Sequence, residues 1–197
     1  MNISTIVLIA YFTTAVVVAI GAVIWLNVKA RRTESLRSEF GAEYNRIARA
    51  RGDAAEAEQL LRARQKRVAK LEIKPLNARQ RAEFADRWGV AQARFVDDPS
   101  AAVVIADVLV QEVMNVRGYP VVDFEQRVAD VSVDHPAVVQ NYRLAHAIAV
   151  RDEKEDVGLE KLRAAMLHYR ALFADLLHDG GLQPVRQVRP AHIRRAA

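Results

Sequence analysis

The stretch from 159 to 177, LEKLRAAMLHYRALFADLL, decides the fold. Leu159, Leu162, Met166, Tyr169, Phe173 and Leu176 recur at alternating spacings of three and four, which builds one apolar face on an α-helix and none on a strand. Upstream, RDEKEDVG (151–158) is a charged loop. Before it, Asp134 or His135 is placed to cap a helix with Pro136 in its first turn, running to about Arg151. A helix of about eight residues fits between Asp123 and Ser132, because Asp123 and Gln126 have capping-box spacing.

The same signals continue towards the N-terminus. Asp98 caps and Pro99 opens a helix that runs to Gly118. Its residues are apolar around most of the circumference, with Asp107, Gln111 and Asn115 expected as its solvent edge. Asn77 and Gln80 form a second capping-box pattern ahead of Phe84, Trp88, Ala91 and Phe95, an aromatic face at helical spacing. No strand pattern competes, so the fold class is all-α: a bundle of about four longer helices and one short one over 76–181.

Residues 29–75 read as a charged juxtamembrane stalk, two helices broken near Gly52 with Asp53 as a cap. Their apolar stripe is thin, with Arg64 in the seam of Ala57, Leu61, Val68 and Leu71, which favours a solvated helix over a coiled coil. Pro75 ends the stalk. Residues 182–197 are a basic tail read as disordered.

From Asn2 through Val28 there is no charged side chain. Roughly 24 such residues reach about 36 Å as a helix, enough to cross a hydrocarbon core of about 30 Å. The expectation is a transmembrane helix over 3–28 and not a signal peptide, because no basic residue precedes it and KARR follows it where a small-residue cleavage site would be. Lys29, Arg31 and Arg32 directly after the span place the body in the cytoplasm and the N-terminus outside, a single-pass protein of the inner membrane. With Arg37 they are the expected contacts to the bilayer and its anionic headgroups.

The 197 residues carry a net charge of +5, segregated as +8 over 29–81, −7 over 82–181 and +4 in the tail. The absence of cysteine excludes disulfides, thiolate nucleophiles and cysteine-based metal centres. No phosphate-binding glycine loop occurs, and no two histidines have the spacing that lets one helix hold a metal, so neither metal nor cofactor is expected. Asp134, His135, Tyr142 and His146 lie within fifteen positions. His135, His146, His168 and Tyr142 are the weak candidates for a pocket that would serve an enzyme or a small ligand, although each also has an ordinary structural role. His135 and His146, about 16 Å apart along one helix axis, could not share a ligand. The basic run RARQKRVAK (62–70) lacks the interleaved aromatics of a nucleic-acid surface, which makes that the weakest reading. A membrane-tethered scaffold that binds another protein or itself is the expected function, without catalysis.

RFVDDP (94–99), MNVRGYPVVDFEQR (114–127), VSVDHPAVVQNYRLAH (131–146) and LRAAMLHYRALF (162–173) resemble a group of short bacterial single-span membrane proteins with a helical soluble domain. The resemblance covers roughly residues 40–178 and implies a bacterial origin and a helical domain on the cytoplasmic side or in the envelope. It implies no activity and no site residue.

Overall fold

The computed structural model describes residues 3–120 and 122–178, with side chains from Val16 onward except Arg32. Within them the chain is all-helical: α1 (Ile3–Phe40), α2 (Ala42–Arg51), α3 (Ala54–Val68), α4 (Ala78–Asp97), α5 (Pro99–Arg117), α6 (Phe124–Asp134), α7 (Val139–Asp152) and α8 (Leu159–Leu177). The chain divides into two compact units, Met1–Arg62 and Ala63–Ala197, the division falling inside α3.

In the first unit α1 is continuous past the expected span and ends at Gly41. Part of that span lies outside the described residues: the side chains of 3–15. Leu36, Phe40, Tyr44, Ile47, Ala57 and Leu61 are buried. α2 closes on Gly52 in the left-handed conformation, its amide returning to the Ala48 carbonyl at 3.0 Å, and the Asp53 carboxylate accepts the Ala55 amide at 2.8 Å.

The second unit is a helical bundle. α5 packs against α4, α7 and α8, α8 also packs on α7, and α6 packs on α7. Both N-terminal signals ahead of this core hold: Asn77 and Gln80 satisfy each other's backbone amides, and Asp98 accepts the Ala101 amide with Pro99 behind it. Trp88 stacks on Phe173 with ring centroids 4.6 Å apart, which joins the aromatic face of α4 to the apolar face of α8. Five of the six expected face residues of α8 are buried, while Leu159 in its first turn is exposed. Gly118 takes φ 99°, and a Cβ there would stand 2.5 Å from the Glu72 carbonyl oxygen, so a side chain is excluded. That close approach accompanies the Lys74 amide bonding the Arg117 carbonyl at 2.8 Å.

Three expectations need correction. The seam residues Ala57, Leu61, Arg64 and Val68 are buried, not solvated. Arg64 tolerates burial because it donates to Ser132 Oγ at 3.2 Å; nearby Arg67 donates through Nε to the fully buried Asp130 at 2.7 Å. Asp134, His135 and Pro136 do not open a helix. α6 runs through Asp134, the His135 amide closes it on the Val131 carbonyl at 2.8 Å, and α7 starts at Val139 without a side-chain cap. Of the polar stripe of α5 only Asn115 is exposed as expected: Asp107 and Gln111 are half-buried, whereas Val104, Ile105, Val108 and Val116 face outward.

α5 is the helix among those described that is long and apolar enough to cross a membrane, with a mean hydropathy of 1.4. Ala102, Val103, Ala106, Leu109, Val110, Val113 and Met114 are buried, as in the packed central helix of a bundle.

Candidate functional site

The inward turn of Asp107 and Gln111 creates a polar cluster inside the bundle. The two are four apart on α5 and share a face, so Gln111 Nε2 donates to Asp107 Oδ2 at 2.6 Å. α6 contributes Arg127, almost fully buried, whose Nη1 donates to Gln111 Oε1. α7 contributes Tyr142 and, one turn on, His146, with ring centroids 6.4 Å apart. α8 contributes Tyr169, 6.4 Å from Tyr142 and like it fully buried. Phe124 roofs the group, stacked on His146 at 3.7 Å and edge-on to Tyr142 at 5.0 Å.

Burial sets the electrostatics. It pushes the phenols of Tyr142 and Tyr169 well above their ordinary value, and the charge of Asp107 adds to both. It lowers His146 against the opposing pull of Asp107, so the imidazole is neutral near pH 7. Asp107 raises the Tyr169 phenol as a hydrogen-bonding neighbour as well as a charge, although the pair does not meet strict hydrogen-bond geometry. Asp107 Oδ1, Arg127 Nε, Tyr142 Oη, His146 Nδ1 and Tyr169 Oη are all buried without a hydrogen-bond partner. Buried polar atoms are rarely left so, and five in one cluster offer both donors and acceptors to a small polar guest.

The other histidines go elsewhere. His135 is buried, with Nδ1 2.5 Å from Asp175 Oδ2 and its ring edge-on to Tyr119, whose hydroxyl donates to Asp134 at 2.6 Å. Burial lowers His135, with Asp175 opposing, and raises the Tyr119 phenol. Beside them Arg117, fully buried, donates to the Leu176 carbonyl at 2.5 Å. His168 Nδ1 sits 3.1 Å from Asn141 Oδ1, and His178 is exposed. His192 lies outside the described residues. Of the four sequence candidates only Tyr142 and His146 join the cluster; Asp107, Gln111, Arg127 and Tyr169 were not among them. The available signal was an acid and an amide at i, i+4 in an otherwise apolar helix. No group of three or more metal-ligating side chains occurs among the described residues.

Of the expected lipid contacts, Lys29 Nζ lies 5.3 Å from the centroid of the Trp25 ring and the Arg37 guanidinium 5.3 Å from that of Tyr44. Arg31 is exposed, and the side chain of Arg32 lies outside those described.

No family model, curated protein or solved structure matches this chain.

Proposed function

We propose that the chain is a membrane-anchored helical interaction module, with residues 3–28 in the bilayer, the N-terminus outside and the body in the cytoplasm, acting as a scaffold without catalysis. The observation that carries the interaction reading is a groove of about 160 Å³ in the second unit. Trp88, Phe95, Met166 and Leu167 line it, and Arg163 and Arg170 flank it. An apolar floor with two arginines on its rim, Arg163 already paired with Glu160, suits an amphipathic helix whose polar edge is acidic opposite Arg170. For the anchor, Val17, Val18, Ile20, Val23, Ile24, Trp25 and Leu26 are each more than half exposed, an apolar surface that lipid would cover at no cost and water would not. The charge step at Lys29 supports the orientation.

A photo-crosslinking residue at Leu167 in living cells should give a discrete adduct, with a protein partner or a second copy, that Arg163→Glu with Arg170→Glu abolishes. Monomer alone, under conditions where the protein is folded, overturns the interaction reading. A reporter fused after Ala197 should be active in the cytoplasm; activity only outside reverses the topology.

A second reading, a small polar ligand held at Tyr142 and His146, is favoured by the five unpartnered atoms around them. Short carboxylates and polyols should then raise the melting temperature of the wild type but not of Arg127→Met. Equal responses exclude it.

A further inference from the structure

We infer that the first unit carries a binding site for the headgroup of an anionic phospholipid, in the cleft where α3 lies beside the end of the uncharged run of α1. The inference rests on the reading of residues 3–28 as a membrane anchor. Trp25, Val28 and Lys29 from α1 and Glu58, Gln59 and Arg62 from α3 line a cleft of about 250 Å³. This is below the roughly 300 Å³ at which pockets for drug-sized ligands begin, and it suits a headgroup.

One hydrogen bond joins the two helices beside the cleft: Thr33 Oγ1 on α1 donates to Glu58 Oε1 at 2.7 Å. Within α3, Arg62 Nη2 donates to Glu58 Oε2 at 3.0 Å. The charge of Glu58 is thereby balanced by Arg62, and Lys29, over the Trp25 ring, leaves one positive charge in excess. One excess charge matches a phosphodiester monoanion better than a doubly charged phosphate monoester. With the phosphodiester against Lys29 and Arg62, Glu58 and Gln59 present acceptors and an amide donor to the hydroxyls of a glycerol headgroup. The source is lipid and not a soluble ester because the apolar wall of the cleft is Trp25 and Val28, the end of the uncharged run. An indole at that position belongs at the interface, level with the glycerol backbone.

The test uses the full chain in bilayers containing spin-labelled lipid, read as the immobilised fraction. Phosphatidylglycerol should be retained several-fold over phosphatidylcholine and phosphatidylethanolamine. Lys29→Gln and Arg62→Gln should each reduce that preference by about fivefold, the scale of one cation at a charged membrane. Arg49→Gln, an exposed residue of α2 outside the cleft, should leave it unchanged. Equal losses in all three variants would mean diffuse attraction and overturn the site, as would equal retention of the three lipids. Displacement of the lipid by millimolar glycerol 3-phosphate would assign the cleft to a soluble ester and also overturn it. Extraction by alkaline carbonate removes the anchor and the site together; a carbonate-resistant protein without lipid preference loses the site alone.

Discussion

His135 and His146 meet opposite surroundings in the same bundle. His135 is sealed at the end of α6, one nitrogen on Asp175 and its neighbours Tyr119 and Asp134 bonded to each other. His146 stacks on Phe124 among side chains that have unused bonding capacity: two phenols, a carboxylate oxygen and a guanidinium nitrogen. The first region spends most of its polar groups on holding the chain, with His135 Nε2 left buried without a hydrogen-bond partner. The second keeps more of them buried without a partner, at a cost of about 1–3 kcal/mol for each group left unsatisfied.

The contrast can be broken at several points. Gly118→Ala should be the most damaging change, destabilising by about 3 kcal/mol in urea titration, because a Cβ collides with backbone and the left-handed conformation is strained. Asp175→Ala strips His135 of its partner and should cost about 2 kcal/mol by the same measurement.

Acid should act on both regions. Burial holds each imidazole below its ordinary value, with Asp175 partly opposing this for His135 and Asp107 for His146. As pH falls the unfolded chain therefore takes up these protons before the folded one. Stability should be fully present above about pH 6.5 and decline below it, by at most about 1.4 kcal/mol per pH unit for each histidine. His135→Gln should flatten that slope more than His146→Gln, since His146 retains some exposure. Urea midpoints at several pH values would decide, and an unchanged slope in His135→Gln would refute this assignment.

The smallest effects are the sharpest. Tyr119→Phe removes a hydroxyl that bonds Asp134 and should cost about 1 kcal/mol. Tyr142→Phe removes a hydroxyl without a protein partner and should leave stability unchanged or raise it. A loss as large as in Tyr119→Phe would erase the distinction between the two regions.

Much of the fold was legible from neighbouring residues alone. Asn77 with Gln80, Asp98 with Pro99 and the stop at Gly118 act within a few positions of themselves, and each holds in the structure. The spacing on α8 likewise named five of its buried residues. The errors share a cause. His135 was assigned to the opening of a helix because Asp134 and Pro136 flank it, yet its side chain answers to Asp175, forty residues away. Leu159 follows the periodicity of α8, but lies in its first turn and stays exposed.

Periodicity and capping are local, so they settled the helical class and most boundaries before any contact was known. Which face of α5 turns inward is a different kind of question. An aspartate and a glutamine are costly to bury unless another segment supplies bonding partners, and Arg127 on α6 does so. The preference for solvent was therefore reversed by a residue sixteen positions from Gln111. The same holds for Arg64, buried with Ser132 as a partner, and for Asp130, buried with Arg67 as a partner. Polar groups are placed by the partners that folding brings to them, and those partners are set by packing between helices and not by spacing along one.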